Sequence, residues 1–147
     1  DYEEPNVVNN DGVLVALLRS DPRNQTYVVW SWDGGVTWVQ QGLSDDRQVA
    51  YTSVGNNGMD VNPNTKGILA YGRALAADEY RMQFHYSADG GSKWITQNGQ
   101  RETDYMYGNM LWSERLGMFI GVYAEEDEAA LQGVGPCQIY VQYYKEI

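Results

Sequence analysis

The sequence holds one cysteine, Cys137, and one histidine, His85. A lone cysteine excludes an internal disulfide, and a zinc site has too few sulfur and imidazole ligands to draw on. No apolar run reaches the length of a membrane-spanning helix, and no secretory leader is visible. Positive charge is scarce: 10 Lys and Arg stand against 20 Asp and Glu, a net charge of −10. A field of that sign repels nucleic acid and anionic membranes, so neither is an expected partner. It also repels an anionic sugar at long range, so an anion site here must be built locally from a few aimed arginines. The chain opens on Asp1 rather than Met, as expected of a processed chain or of a piece of a longer one.

Tyrosine and tryptophan are abundant, with 12 and 5 copies against 2 phenylalanines. Amphipathic aromatics suit half-buried strands and surfaces that face sugars. With 43% hydrophobic and 20% charged residues in 147, the chain can bury a core and is not a disordered tail.

The organising signal is an internal repeat. Ser31-Trp32-Asp33-Gly34-Gly35-Val36-Thr37-Trp38 returns as Ser87-Ala88-Asp89-Gly90-Gly91-Ser92-Lys93-Trp94. A β-rich run precedes each copy, Tyr27–Trp30 and Met82–Tyr86. Before each run stands an earlier strand opened by glycine, Gly12–Arg19 and Gly67–Arg73, and Gly117–Tyr123 is a third of the same kind. These three are apolar on both faces, the pattern of a strand buried between neighbours. Short strands and turns at a period of about fifty residues fit propeller blades. The expected fold is all-β, antiparallel blades at approximately 1–48, 49–102 and 103–147. Asp45–Thr65, polar and rich in Gly and Asn, is expected mainly as a connection between blades, and Ala74–Glu79 as a surface loop. The acidic run Glu125–Glu128 is expected in a solvated loop, with a calcium site as the alternative. His85 is expected as a packed strand residue. Gln138–Tyr144 alternates as a strand, and no third hairpin follows it.

The hairpin octapeptide has a physical logic. The paired glycines permit positive φ in a tight turn, Asp33 and Asp89 can accept bonds from loop amides, and Ser31 and Ser87 can add a hydroxyl. Trp38 and Trp94 are expected to plug the space between strands. The motif resembles the Asp box, S-x-D-x-G-x-x-W, of the sialidase (neuraminidase) superfamily, whose members fold as six-bladed β-propellers. There the boxes are structural, which implies no catalytic role for Asp33 or Asp89.

The resemblance extends over nearly the whole chain and matches the second half of a sialidase propeller. Glu4-Pro5-Asn6-Val7-Val8, the turn Asn10-Asp11-Gly12 and the strand ending Arg19-Ser20 look like that family's E-P-x-V-V…D-G-x-L…R-S segment. The resemblance implies that Glu4 assists the nucleophile, with Glu3 the alternative, and that Arg19 binds the substrate carboxylate. Arg73 resembles the next arginine of the same cluster, and Arg81 is a weaker candidate. Tyr105-Met106-Tyr107-Gly108-Asn109-Met110, followed by Gly121–Glu125, looks like the segment that carries the tyrosine nucleophile. Tyr107 takes that place, with Tyr105 as the fallback. Taken singly, Arg19 is a strand-end arginine, Tyr107 a packing tyrosine and Glu4 a surface acid. Their order through the repeat sets them apart.

The residue types suit the implied chemistry. A sialoside carries a carboxylate on its anomeric carbon, so a carboxylate nucleophile approaches against like charge and a phenol does not. A glutamate can take the phenol proton, and guanidinium groups grip the carboxylate through paired, charge-assisted hydrogen bonds. The implied activity is therefore a sialidase-type glycosidase, exo or endo, with no cofactor and no metal. The implied partners are a sialylated glycan or polysialic acid, and the remaining blades or other chains. Phage endosialidases, trimeric tail proteins, are a variant with a reduced site. The implied location is extracellular or on a virion. Two parts of the family site have no counterpart: the first arginine, and the acid/base aspartate, since Asp45, Asp46 and Asp60 lie outside its context. This chain alone is thus expected to be poorly active or inactive. A non-catalytic sugar-binding propeller and a purely structural one are the competing readings.

Overall fold

A computed structural model describes residues 3–20, 25–40, 49–52, 58–76, 79–102, 105–126 and 137–146. The described residues form antiparallel sheets in which each strand pairs with its neighbour in sequence. The first sheet holds β1 (Glu3–Asn10), β2 (Val13–Ser20), β3 (Gln25–Ser31) and β4 (Val49–Thr52). The second holds β5 (Met59–Val61), β6 (Ile68–Ala76), β7 (Glu79–Ser87) and β8 (Ile95–Glu102). The third holds β9 (Tyr105–Ser113), β10 (Met118–Glu126) and β11 (Cys137–Tyr144).

The glycine-opened strands β2, β6 and β10 are the second strands of their sheets, flanked by a partner on each side. Alternation sends successive side chains to opposite faces, so a strand apolar on both faces is buried on both. In β6, Ile68 and Ala70 join Val8, Val15, Leu17, Val28 and Trp30 of the first sheet in one core. Leu69 and Tyr71 of the same strand join Met110, Phe119 and Tyr123 of the third sheet in another. The sheets therefore stack face to face, with the second in the middle. The first strands β1, β5 and β9 lie beside one another along one side of the stack.

Polar ties fix the stacking. Trp30 Nε1 donates to the Gly90 carbonyl at 2.9 Å, and Asn10 Nδ2 to the Lys66 carbonyl at 3.3 Å. The Trp112 amide donates to Asp60 Oδ2 at 2.6 Å, across the second junction. Glu146 accepts from Asn62 Nδ2 at 2.7 Å and from Thr65 Oγ1 at 2.8 Å.

Several expectations are corrected. Asp45–Thr65 is not mainly a connection: it supplies β4, the outer strand of the first sheet, and β5, the inner strand of the second. The first sheet accordingly reaches past the expected boundary at residue 48. Ala74–Ala76 belong to β6 and pair with Arg81, Tyr80 and Glu79, so that strand runs on where a loop was expected. Glu125 and Glu126 are strand residues opposite Gln138 and Cys137, and the rest of the acidic run lies outside the described residues. Trp38 is 42% exposed and folds onto its own hairpin, whereas Trp94 packs against the first core. His85 is fully buried, its Nδ1 2.9 Å from Thr96 Oγ1. Burial lowers its pKa to about 3, so the ring is neutral in the folded protein.

Candidate functional site

The two Asp-Gly-Gly hairpins follow the third strands of their sheets and are built alike. Ser31 Oγ donates to Asp33 Oδ1 and accepts from the Gly35 amide, both at 2.8 Å. Ser87 Oγ does the same with Asp89 Oδ1 at 2.9 Å and the Gly91 amide at 2.8 Å. Asp33 also accepts from the Thr37 amide at 2.8 Å and from Thr37 Oγ1 at 2.6 Å, and Asp89 from the Lys93 amide at 2.9 Å. Both aspartates thus spend lone pairs on their own turns. Thr37, through its hydroxyl and amide, and then Ser31 stabilise the Asp33 carboxylate and push its pKa down to about 2. A group held so firmly ionised is a poor proton donor, and the role of these hairpins is structural. Gly34, Gly35, Gly90 and Gly91 have φ of +72°, +94°, +74° and +98°, the left-handed region that glycine enters without a Cβ clash.

The opposite end of the sheets carries the positions implied by the sequence. Ser31, where the first hairpin begins, lies opposite Leu14, whereas Arg19 lies opposite Glu3 and Thr26. Five residues of strand separate the two levels, about 17 Å at the rise of a β-strand. In the second sheet Ser87 lies opposite Ile68, and Arg73 opposite Met82. In the third, Tyr107 lies opposite Ala124, far from the Ser113–Gly117 turn at the hairpin end. The backbone of positions 4, 19, 73 and 107 is therefore at the end away from the Asp-Gly-Gly hairpins, on β1, β2, β6 and β9 of successive sheets. Alternation puts position 19 on the β2 face of Val15 and Leu17, toward the second sheet. The backbone of position 73 stands at the matching register in the second sheet, opposite Met82. Arg19 is half-buried. The side chains of Glu3, Glu4, Arg73, Arg81, Tyr105 and Tyr107 lie outside the described residues.

Asp60, weighed in the sequence among the aspartates without a family context, has a structural role. Its carboxylate accepts from the Trp112 and Val61 amides and lies at the hairpin end. Tyr71, two positions before Arg73 in β6, is 2% exposed and belongs to the core between the second and third sheets. Among the described residues no three His, Cys, Asp or Glu side chains gather as a metal site.

A cavity of about 350 Å³ opens at the hairpin end between the second and third sheets, lined by Leu69, Phe84, Tyr86, Ile95, Phe119 and Tyr144. Burial raises the pKa of Tyr144, and burial followed by Glu146 raises that of Tyr86, so both phenols stay protonated. The cavity has a counterpart at the first junction. Val15 lies opposite Trp30 as Leu69 lies opposite Tyr86. There the second hairpin fills the space: a Cβ on Gly91 would stand 3.1 Å from Val15 and 3.3 Å from Val28. The cavity is thus a packing seat repeated from the first junction, remote from positions 4, 19, 73 and 107.

No known family's profile matches the sequence, and no curated protein matches it. Solved structures do match. A structure of the α-L-arabinofuranosidase Arb93A from Fusarium graminearum with an iminosugar inhibitor superposes over 98% of this chain, with TM-score 0.70 and 13% identity. The GH93 α-L-arabinofuranosidase of the same organism with arabinobiose superposes over 99%, with TM-score 0.68 and 14% identity. The three sheets are blades of a β-propeller. The chain spans 45% of the length of each of these enzymes, so its blades amount to a little under half of such a ring. Within the propeller, β1, β5 and β9 are the inner strands. The Asp-Gly-Gly hairpins join the third and fourth strands of their blades at one end, and the candidate positions lie at the other.

Proposed function

We propose that this chain is part of the catalytic propeller of a glycoside hydrolase acting on sialic-acid-containing glycans. The observation that carries the reading is the placement of positions 4, 19, 73 and 107 at one end of three successive blades, opposite the hairpins. Two arginines recur at equivalent register positions in adjacent blades. That repetition suits a floor for a carboxylate in a chain whose net charge is −10. A glycosidase is further supported by the propeller enzymes that share the fold.

In this reading Arg19 and Arg73 bind the sugar carboxylate through charge-assisted hydrogen bonds, each contact contributing about 1.5–3 kcal/mol. Glu4 takes the phenolic proton of Tyr107. The Tyr107 oxygen then bonds to the anomeric carbon as the bond to the departing sugar oxygen breaks. Water, deprotonated by the group that protonated the departing oxygen, then attacks the anomeric carbon as the bond to the Tyr107 oxygen breaks, and Glu4 returns its proton to the phenolate. The departing oxygen requires a proton donor, which this chain does not assign.

The test offers the protein a fluorogenic sialoside, polysialic acid and an aryl α-L-arabinofuranoside, with titration of free sialic acid by NMR alongside. Sialic-acid binding that weakens at least tenfold in both Arg19→Ala and Arg73→Ala is the expected result, with turnover weak in this chain alone. Where turnover occurs, Tyr107→Phe lowers kcat by at least a hundredfold and leaves binding intact. The fold neighbours favour a second reading, a glycosidase of neutral furanosides. Arabinoside turnover or binding indifferent to both arginines would establish it in place of the first.

A further inference from the structure

Beside the seated second hairpin, a smaller cleft of about 220 Å³ remains at the hairpin end, between the first and second blades. Val13, Val15 and Trp30 of the first blade wall one side, and Asp89, Gly90 and Ser92 of the second hairpin wall the other. Asn10 and Trp32 complete it. Trp32 stands two residues beyond Trp30, on the side of the first blade that meets the second, and is 54% exposed. Both walls are adjacent blades of this chain. The seat of Gly91 and the bond from Trp30 Nε1 to the Gly90 carbonyl fix their spacing.

Two differences between the copies of the octapeptide bear on this cleft. Trp32 has Ala88 as its counterpart in the second hairpin, so the turn itself does not call for an aromatic ring there. More than half exposed, the indole is not a core residue either. Thr37, whose hydroxyl and amide reach Asp33 Oδ2 at 2.6 and 3.0 Å, has Lys93 as its counterpart. Asp89 accordingly holds its turn through Oδ1, from Ser87 Oγ and the Lys93 amide, and its Oδ2 accepts no bond among the described residues. Asn10 Nδ2 gives one hydrogen to the Lys66 carbonyl at 3.3 Å and keeps a second. A Cβ on Gly90 would stand 3.5 Å from that nitrogen, so the amide lies against the hairpin backbone.

We propose that this cleft binds one neutral pyranose unit of a glycan, with a C–H face of the ring against the Trp32 indole. The Asp89 carboxylate accepts from ring hydroxyls, and the second Asn10 N–H donates to one. Three features select this class. An acceptor and a donor in one cleft suit hydroxyls, which do both, whereas an ammonium group only donates and leaves the amide unmatched. A carboxylate in the wall, in a chain of net charge −10, turns away an acidic sugar. The volume lies below the roughly 300–1,000 Å³ of pockets for drug-sized ligands, which suits a single ring. The cleft is at the opposite end of the blades from positions 4, 19, 73 and 107, so a sugar held here is an anchor and not a substrate. Binding here is independent of the sialic-acid reading.

The test follows amide and indole NMR signals of the isotope-labelled 147-residue chain during titration with methyl β-D-galactopyranoside and methyl α-D-glucopyranoside. At least one glycoside is expected to saturate shifts of the Trp32 indole N–H and of the Gly90 and Ser92 amides. The dissociation constant falls in the millimolar range, as expected of one ring in an open cleft. Trp32→Ala weakens that binding at least tenfold with unchanged far-UV circular dichroism, since the side chain is exposed in the fold. Trp32→Tyr keeps a flat ring and restores most of it. Salt leaves the binding unchanged, which separates it from carboxylate binding at Arg19 and Arg73. No saturable shift at these signals with either glycoside overturns the proposal. So does binding unaffected by Trp32→Ala, and so does a cleft that takes tetramethylammonium or N-acetylneuraminic acid as tightly as the glycosides.

Discussion

Ser31 and Ser87 are fully buried hydroxyls with two hydrogen bonds each, one given to an aspartate and one taken from a glycine amide. Removing one leaves a buried amide unmet, at a cost of about 1–3 kcal/mol. Ser87→Ala is therefore expected to lower the urea midpoint with an unchanged m-value, which equilibrium unfolding measures directly. His85 makes stability depend on pH. Its pKa is about 3 in the fold and near 6.5 when unfolded. Between those values the unfolded chain binds the proton and the folded one does not, so stability falls as pH drops from 6.5 toward 3 and is complete above 6.5. Asp33, lowered to about 2, works lower on the scale: its contribution is complete above its ordinary value of 3.8 and is lost as pH falls through 2. His85→Leu should flatten the change in urea midpoint between pH 7 and pH 4.5, where Asp33 stays ionised. An equally steep dependence in that variant assigns the effect to other groups. The serines, aspartates and paired glycines were legible because one octapeptide occurs twice. The buried state of His85 was legible from its strand pattern, and the loss of its proton was not, since that follows from how closely the second blade packs on the first.

At the scale of elements, the two hairpins share a backbone and differ most in what lies beneath them. Gly35 and Gly91 share a φ near +95°. A Cβ at Gly35 would meet Leu14 at an ordinary 3.5 Å, whereas at Gly91 it would press on Val15 at 3.1 Å, inside a closed junction. Gly35→Ala is expected to cost the left-handed penalty of about 1–2 kcal/mol. Gly91→Ala should cost more, because the first and second blades must also separate. Comparing the two urea midpoints checks this, and equal losses would mean that the hairpin contributes nothing to the junction. The glycine-opened strands β2, β6 and β10 were readable, since burial on both faces demands apolar residues at every step. The inner strands were not readable as strands. β5 has three residues, and Asp60 within it is polar because it caps the Trp112 amide of the next blade. A polar residue that belongs in a segment only because of a neighbouring blade reads from sequence as a loop.

At the scale of the molecule, the net charge of −10 sets a long-range field against any anionic ligand. Salt screens exposed charges within about 10 Å at 0.1 M. In the proposed function, sialoside binding at Arg19 and Arg73 is expected to weaken as salt rises, since charge-assisted contacts lose strength with screening, and NMR titration in a salt series reads the sign. The sequence by itself determined the all-β class, the repeat, the hairpin chemistry and the order of acid, arginine, arginine and tyrosine, because each depends on neighbours within a few residues or on composition. Only the tertiary structure decided that the backbone of positions 4, 19, 73 and 107 shares one end, that Asp60 ties blades together, and that the second hairpin seats on the first blade. Those facts depend on strand register and on which blade covers which, and pairings between distant segments leave little trace in local sequence.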